Sequence, residues 1–448
     1  MISFAPLLST TFALLQAPSA PPPADDPRLA EIAHAVPAAA MEATIRKLAS
    51  FGTRHTLSDT VSATRGVGAA RRWIHGELSA ISSACGGCLE VSFQRGMLAA
   101  GTNPRIPRAV ELVNVVAVQR GTRYPDRYVL ITGHYDSRAS GSNDATSDAP
   151  GANDDGSGTA AVIETARVLS RYRFDKTIVY GALVGEEQGL LGGQQLAAYA
   201  KEQGWTIEGV LNNDIIGNTR GIGGHADNMT FRIFSEPVPP TETDGERQMR
   251  RVIGGEVDGI SRQLARYVHR IATEVQPTMR PKLVYRLDRF GRGGDHRAFN
   301  DLGYAAIRIT EAYEDFNRQH QDLRTANGIA YGDVPDEVDF PYAARIAGVN
   351  AAALAALAWA PPPPGAVRIR GPANGSTRVS WTAPDGPVAG YRVYWRDTVD
   401  PYWSQSVFVS GATETTLEGI IIDDFLFGVA SVGADGNESL VTFAGAGR

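Results

Sequence analysis

Five side chains of the types that bind divalent metal ions lie at or near the ends of apolar segments. They are His134 in VLITGHYDS, Asp154 in PGANDDGSGTA, Glu187 in VYGALVGEEQGLLGG, Asp214 in VLNNDIIGN and His296 in GRGGDHRAFN. Imidazole and carboxylate ligands suit zinc, with manganese or cobalt as substitutes. An aspartate in a Gly-rich loop can present both oxygens, so Asp154 is predicted to bridge two ions. His134 and Asp214 would complete the ligand set of one ion, and Glu187 and His296 would complete that of the other.

Two further carboxylates stand next to this set. Glu186 precedes Glu187 and is not needed as a ligand, so it is free to take a proton from a water held between the ions. Asp136 lies two residues after His134, where it could accept the second N–H of the imidazole and fix its tautomer. Together these groups predict the hydrolysis of an amide bond.

The elements that must position these residues alternate between helix and strand over residues 27–359. Such alternation predicts a three-layer α/β/α sandwich around a mostly parallel sheet. His134, Glu187 and Asp214 each follow the carboxyl end of a predicted strand, which is where open α/β sheets bind ligands. The polar segment 236–258, rich in Pro and Gly, is predicted to be a mobile loop near the site.

The C-terminal region has a different pattern. The proline-rich segment 360–366 predicts a stiff linker. Residues 367–448 contain short alternating strands separated by turn signals such as Asn374-Gly375 and Asp435-Gly436, which predict a small all-β sandwich. The order W-x-x-P, G-Y-R-V-Y-W-R and D-G-N-E-S resembles a fibronectin type III domain, in which Trp381, Tyr391 and Phe427 would be core residues. Modules of that type usually act as spacers or adhesion units.

Charge and composition exclude several classes of partner. The 448 residues carry a formal net charge of -6 without any Lys- or Arg-rich block. Recognition of nucleic acid or of an anionic membrane is therefore not expected.

The N-terminus predicts export. Residues 1–19 are apolar or small apart from Gln16, and Ala17 and Ser19 form an A-x-A-like cleavage signal before Ala20. This pattern predicts a signal peptide and a secreted or periplasmic protein, with an uncleaved membrane anchor as the alternative. The chain has only two cysteines, Cys85 and Cys88, which are predicted to form a local disulfide rather than a redox-active pair.

Five motifs in order carry a family resemblance. G-H-Y-D-S, G-A-N-D-D-G-S-G, G-E-E-Q-G-L-L-G-G, N-N-D-I-I-G-N and G-D-H-R-A-F resemble the M28 family of zinc metallopeptidases over residues 40–358. The resemblance implies a phosphorylase/hydrolase-like fold, two zinc ions, a peptide substrate and aminopeptidase activity. It also implies the ligand assignment given above, with Glu186 as general base and Asp136 as orienting carboxylate. His320, in DFNRQHQDLRT, matches a histidine at the active-site wall that contacts the reaction centre.

The sequence departs from the family before His296. Secreted aminopeptidases of the family often have a cysteine pair there, whereas this chain has Arg286, Arg289, Arg292 and Arg297. These arginines are either solvated loop charges, or Arg289 and Arg292 bind a substrate carboxylate. The second reading predicts a preference for acidic side chains, or carboxypeptidase-like action on a C-terminal carboxylate.

Two other classes remain open. A glutaminyl-cyclase-like enzyme on the same fold would work with one zinc ion, whereas the full ligand set favours two. A non-catalytic binding protein on a peptidase scaffold would be expected to lack Glu186 or a ligand, and the sequence lacks neither.

Overall fold

A computed structural model of the chain describes residues 21–371 and 375–446. The predicted signal peptide at residues 1–19 and Asn374 of the predicted Asn374-Gly375 turn lie outside the described residues.

A large mixed sheet forms the centre of the N-terminal part. Its eight strands are β1 (Glu90–Leu98), β2 (Val110–Gln119), β3 (Tyr124–His134), β4 (Lys176–Leu183), β5 (Thr206–Asn213), β6 (Thr230–Phe234), β7 (Arg280–Val284) and β8 (Ala306–Glu311). They are ordered β1-β2-β4-β3-β5-β8-β6-β7. The four central strands β4, β3, β5 and β8 are parallel, as are β6 and β7. The predicted α/β class with a mostly parallel sheet is therefore confirmed, with antiparallel pairing at β1, β2 and between β6 and β8.

Helices cover both faces of this sheet. They are α1 (Arg28–His34), α2 (Ala38–Ala49), α3 (Gly66–Ala84), α4 (Gly156–Leu169), α5 (Leu191–Glu202), α6 (Asp244–Ile253), α7 (Ile260–Val275), α8 (His296–Asn300) and α9 (Phe340–Trp359). Val129 and Ile131 of β3 belong to one core with α1–α4, α7 and α9, whereas Tyr128 and Leu130 belong to a second core with α5 and α8. Successive side chains of a strand point to opposite faces of the sheet, so β3 contributes to the core on each face. The sheet and the helices on its two faces therefore form three layers.

Helix α9 is apolar on all sides and lies inside the first core. By length and hydropathy it could also cross a membrane, but 83% of its apolar window is buried within the protein. A helix that is apolar all round is the expected form of a central core helix.

The predicted loop 236–258 contains helix α6. Thr243 and Glu246 form a capping box at its start, in which Thr243 accepts the backbone N–H of Glu246 and Glu246 accepts that of Thr243. None of the residues of α6 is buried, and Met249, Val252 and Ile253 are its only apolar side chains, too few to predict a helix from periodicity. It packs beside the C-terminal strand Gly445–Ala446 rather than over the candidate site.

The C-terminal residues form two four-stranded sheets. Their strands are β11 (Gly365–Arg370), β12 (Thr377–Thr382), β13 (Gly390–Asp397), β14 (Gln405–Val409), β15 (Glu414–Leu417), β16 (Phe425–Val432), β17 (Thr442–Phe443) and β18 (Gly445–Ala446), and a separate hairpin is formed by β9 (Arg324–Ala326) and β10 (Ile329–Tyr331). Trp381, Tyr391 and Phe427 lie in the shared core between the two sheets.

The proline segment is packed against the protein. Strand β11 begins at Gly365, one residue before the end of the predicted linker 360–366. Ala360, Pro361 and Pro364 are buried, and Lys176 Nζ donates to the Pro361 carbonyl at 3.4 Å. The segment therefore joins two parts that touch.

Cys85 and Cys88 form the predicted disulfide, at the junction of α3 and β1.

Candidate metal centre

Four of the five predicted ligands meet at one edge of the central sheet. His134 is the last residue of β3, Glu187 follows β4 and Asp214 follows β5, while Asp154 lies in the loop that leads into α4. All four are buried. Because β3, β4 and β5 are parallel neighbours, their carboxyl ends bring these side chains together.

The side chains form two groups that share Asp154. In the first, His134 Nε2 lies 3.2 Å from Asp154 Oδ1 and 3.9 Å from Asp214 Oδ1. In the second, His320 Nε2 lies 2.9 Å from Asp154 Oδ2 and 2.8 Å from Glu187 Oε1. Each group offers three ligand atoms that all lie within 4.8 Å of one another. Asp154 thus faces one group with each carboxylate oxygen.

His296 is not part of either group, whereas the sequence-based assignment placed it with Glu187. Its ring is fully buried at the start of α8, where Nε2 lies 2.8 Å from the Leu287 carbonyl and 3.7 Å from Asp288 Oδ2. Burial lowers the pKa of His296 to about 4, so the ring is neutral and donates to Leu287. His320 occupies the place predicted for His296.

The loop that carries His320 explains why the sequence pattern did not place this histidine with the predicted ligands. His320 has a positive φ of 56°, a left-handed conformation outside any helix or strand. It reaches the site from a loop far beyond β8, so no strand end marks it. His296, in contrast, stands in a Gly-rich loop that resembles the one around Asp154.

The first group fits a divalent cation without rearrangement. His134 Nδ1 lies 3.1 Å from the Asp136 carbonyl, to which it donates, so Nε2 is the ring nitrogen that faces Asp154 and Asp214. Among the described residues, His134 Nε2 and Asp214 Oδ2 are buried without a hydrogen-bond partner. Unpartnered buried donor or acceptor atoms are costly, so the group favours a cation bound to these atoms.

The second group fits a cation with one change. Burial opposes protonation of His320, but Glu187 and Asp154 raise its pKa to about 10, which shows that positive charge is favoured there. Arg138 Nη2 lies 2.7 Å from His320 Nδ1 and Arg138 Nε donates to Glu187 Oε2 at 2.8 Å. A cation at Nε2 would move the ring proton to Nδ1, so Arg138 would then be held by Glu187 alone.

Electrostatics distinguish the shared carboxylate from its neighbours. Burial raises the pKa of Asp154, but His320 and His134 outweigh it and hold the pKa well below its ordinary value. Burial raises the pKa of Asp214, although Arg308 Nη2 donates to its Oδ1 at 2.6 Å. Asp154 is therefore the carboxylate that stays ionised between both groups.

Glu186 lies beside the ligands but outside both groups. Its Oε2 is 4.0 Å from His134 Nε2, and 13% of its side chain is exposed to the cavity. Burial, reinforced by Asp214 and Glu187, raises its pKa well above the ordinary value of a glutamate. A carboxylate with a raised pKa is suited to accept and return a proton.

Asp136 and Asp155 fix the backbone around these groups by accepting hydrogen bonds from its N–H groups. The Asp136 carboxylate accepts the backbone N–H of Glu186 at 3.3 Å and of Glu187 at 3.2 Å, while its distance to His134 Nδ1 is 3.5 Å. Asp136 thus orients the Glu186–Glu187 turn at least as much as the imidazole. Asp155 caps α4 by accepting from Gly158 at 2.9 Å and also accepts the His134 backbone N–H.

Four supporting residues were missed by the sequence patterns. Asp333 accepts the backbone N–H of Asp154 at 2.7 Å, and Gln319 Nε2 donates to Asp154 Oδ2 at 2.7 Å. Arg138 and Arg308 hold Glu187 and Asp214 as described above. Of these only Gln319, next to His320, and Arg138, four residues after His134, lie close to a motif.

A cavity of about 530 Å³ opens in front of the two groups. Arg289 and Arg292, the predicted substrate-binding residues, both line it. Arg289 Nη1 donates to Glu314 at 2.8 Å and its Nε to Asp288 at 3.3 Å. Arg292 Nη1 lies 3.4 Å from Glu314 and 3.3 Å from Gln319, and about a third of its side chain is exposed.

Comparison with known sequences places this arrangement in a family. The sequence profile of peptidase family M28 matches residues 114–334, a range that contains all of the grouped side chains. A "Probable zinc metalloprotease" from Leptosphaeria maculans is 43% identical over 419 residues, which cover 93% of this chain and 96% of that protein. Another from Pyricularia oryzae is 42% identical over 412 residues, which cover 90% of this chain and 82% of that protein. The chain belongs to peptidase family M28.

The fold agrees with this placement. The LapA aminopeptidase of Legionella pneumophila superimposes with a TM-score of 0.53 and 16% identity, covering 77% of this chain and 78% of that one.

Proposed function

We propose that this protein is a zinc-dependent peptidase that uses two ions and removes residues from the N-terminus of peptides. The observation that carries the proposal is the pair of three-ligand groups that share Asp154. A shared carboxylate with a separate oxygen for each side is what two closely spaced ions require. The names of the two relatives given above support zinc as the metal.

The chain's own residues would divide the work as follows. His134, Asp154 and Asp214 would hold one ion, and Asp154, Glu187 and His320 the other. Bound zinc ions lower the pKa of water and polarise the carbonyl of the scissile bond. Glu186 takes the proton of the attacking water and returns it to the leaving amine, since it lies beside both groups without belonging to either. Asp136 keeps Glu186 and Glu187 in place through their backbone N–H groups.

The cavity supports action at a chain end. A volume of about 530 Å³ fits a side chain and a few backbone atoms, whereas an endopeptidase needs an extended cleft on both sides of the scissile bond. Removal of N-terminal residues is the activity that the motifs imply, and the solved fold relative is named an aminopeptidase. Carboxypeptidase-like action is the alternative, because arginines line the cavity.

The same proposal extends to location and to the C-terminal region. We propose export with removal of residues 1–19, which the disulfide between Cys85 and Cys88 supports because such bonds persist in oxidising compartments. N-terminal sequencing of the secreted protein tests this, since a mature chain starting at Ala20 is expected. We also propose that residues 367–448 are a fibronectin type III-like module, which the two facing four-stranded sheets support.

The activity is tested with aminoacyl-anilides and with a peptide library that has free or acetylated N-termini. Hydrolysis that requires a free N-terminus, stops with chelator and returns with zinc is expected. Cleavage of acetylated peptides at internal bonds would contradict the proposal, and so would a metal-free, inert protein. A requirement for a free C-terminus would favour the carboxypeptidase alternative. Formation of pyroglutamate from N-terminal glutamine would instead indicate a glutaminyl-cyclase-like enzyme.

A further inference from the structure

The cavity in front of the metal centre is rich in cationic side chains. Five arginines line it, namely Arg105, Arg138, Arg289, Arg292 and Arg297. The carboxylates that line it all belong to the metal centre or, in the case of Glu186, touch it. Since two divalent ions would offset the charge of those carboxylates, the arginines leave the cavity with a positive potential.

Three of the five arginines are already engaged by the protein. Arg138 donates to Glu187 at 2.8 Å, and Arg289 donates to Glu314 and Asp288. Arg105 Nη1 donates to the Glu187 carbonyl at 2.6 Å. These side chains hold the wall of the cavity and have few free donors for a substrate.

Arg297 differs from the others. It lies on α8 and lines the cavity, and its side chain forms no hydrogen bond or ion pair with any described residue. Its Nε is buried without an acceptor. A half-buried guanidinium without an acceptor is unfavourable, and an anionic ligand would supply what it lacks.

The surroundings leave room for such a ligand. A Cβ atom at Gly293 would lie 3.0 Å from Arg297 Nη1, so glycine at this position keeps space beside the guanidinium. Arg292 lines the same cavity with a partly exposed side chain and only long contacts, of 3.3 Å and 3.4 Å, to the protein. A planar guanidinium presents paired N–H donors that match the two oxygens of a carboxylate.

We propose that Arg297, assisted by Arg292, binds a carboxylate group of the peptide substrate and so selects acidic over neutral substrates. The proposal rests on the peptidase function proposed above and adds its substrate class. It also revises the sequence-based candidates, because Arg289 is held by Glu314 and Asp288. The carboxylate comes either from an acidic side chain or from the C-terminus of a short peptide, and both present the same chemistry.

Matched substrate pairs test the proposal. Glu-anilide and Gln-anilide have the same size and differ in one charge, as do Leu-Gly and Leu-Gly-amide. The wild-type kcat/KM is expected to favour the charged member of one pair by about tenfold to a hundredfold, the range given by a charge-assisted hydrogen bond. The pair that shows the preference identifies the source of the carboxylate.

Three variants test whether Arg297 causes the preference for the charged substrate. Arg297→Gln is expected to bring the ratio close to one, mainly by lowering kcat/KM for the charged member of the pair. Arg297→Lys is expected to keep part of the ratio, because it keeps the charge but loses the paired donors. Arg251→Gln, which removes an exposed arginine of α6, is the control and should leave the ratio unchanged. Thermal unfolding and metal content show whether each variant is folded and loaded.

Equilibrium binding gives a second readout that needs no turnover. Calorimetry with the α-amides of glutamate and glutamine, and with Leu-Gly and Leu-Gly-amide, is expected to show tighter binding of the charged member of the preferred pair to the wild type. With Arg297→Gln the two members of that pair should bind with an equal, weak affinity. A wild type that cleaves neutral and charged substrates equally overturns carboxylate selection and leaves the peptidase function intact. A protein that cleaves nothing but binds the charged member through Arg297 overturns the peptidase function instead. A preference for the charged member that survives Arg297→Gln overturns the role of Arg297.

Discussion

The protein contains two buried clusters of charge that differ in how their carboxylates are neutralised. At the junction with the C-terminal sheets, Asp258 accepts from Arg266 Nη1 at 2.7 Å and from Arg396 Nη2 at 2.8 and 2.9 Å. Its side chain is 1% exposed, and that of Arg396 is fully buried. This cluster contains its own counter-charges.

The metal centre lacks such closure. His134 Nε2 and Asp214 Oδ2 are buried without a hydrogen-bond partner among the described residues. Arg308 and Arg138 each hold one carboxylate from the outside, and the ligand atoms face one another. The same residue types thus form a closed structural ion pair at one place and an open cation site at the other.

The difference teaches how a buried carboxylate can be interpreted. A carboxylate with two arginines is complete and contributes to structure, whereas carboxylates grouped around a histidine nitrogen form a set that an external cation can bind. A third case is Glu236, which is 7% exposed and whose Oε1 has no partner. This carboxyl group is most stable in its protonated, neutral form.

Glu186→Gln gives the largest expected effect. The amide cannot accept the proton of the attacking water, so turnover is expected to fall by roughly 10²- to 10⁴-fold. Metal content, measured by mass spectrometry, should stay that of the wild type because Glu186 belongs to neither ligand group. Glu202→Gln, at an exposed position of α5, is the control. Retention of full turnover would exclude Glu186 as the base.

Asp258→Ala tests the closed cluster. Removing the carboxylate leaves Arg266 and Arg396 buried without their partner, which is expected to lower the free energy of unfolding by about 3–5 kcal/mol. Denaturant titration measures the change, with the exposed Asp423→Ala as the control. If the C-terminal region were a loosely tethered spacer, the loss would be no larger than that of the control.

His320→Ala and His296→Gln test the open cluster by contrast. The wild type is expected to hold about two ions per chain, His320→Ala about one and His296→Gln about two. Zinc at 100 times its dissociation constant should stabilise the wild type by about 2.7 kcal/mol per ion, and His320→Ala should lose one such increment. Metal analysis and thermal unfolding with and without chelator measure both. Loss of an ion in His296→Gln alone would restore His296 as a ligand.

Glu236→Gln gives the smallest expected effect and tests the third case. Burial, with some help from Asp301, raises the pKa of Glu236 to about 7 against an ordinary value of 4.5. The folded state therefore binds the proton more tightly, and the stability it gains is complete below pH 4.5 and lost as the pH rises through 7. At pH 8 the glutamine variant should be more stable than the wild type by about 1–2 kcal/mol, after allowance for nearby solvent. The difference should shrink towards pH 5, and an unchanged difference would show that Glu236 does not titrate in this range.

The sequence predicted the strand-end positions of the site well. His134, Glu187 and Asp214 each follow an apolar run, and parallel strands bring their carboxyl ends to one edge whatever the loops do. The Gly-rich loop before α4 likewise predicted that Asp154 would lie beside these strand ends. These features depend on local periodicity and on one general property of parallel sheets.

The sequence predicted loops and charge partners less well. Helix α6 has no buried face and only three apolar side chains, so its T-x-x-E capping box was the clearest sign of a helix there. Arg289 and Arg297 lie in the same segment, and the sequence does not show which of them is free to bind a substrate. The position of Glu314 shows that Arg289 is already engaged in an ion pair.

The sequence by itself determined the chemistry: the family, the mixed α/β fold, four side chains of the metal centre, and Glu186 as the group beside them. The tertiary structure decided which histidine completes the second group and which arginine is left without a partner. The physical reason is how far apart along the chain the contacting residues lie. Strand ends are placed by patterns of a few residues, whereas His320 meets Asp154 across 166 positions of chain through a loop without a repeating pattern.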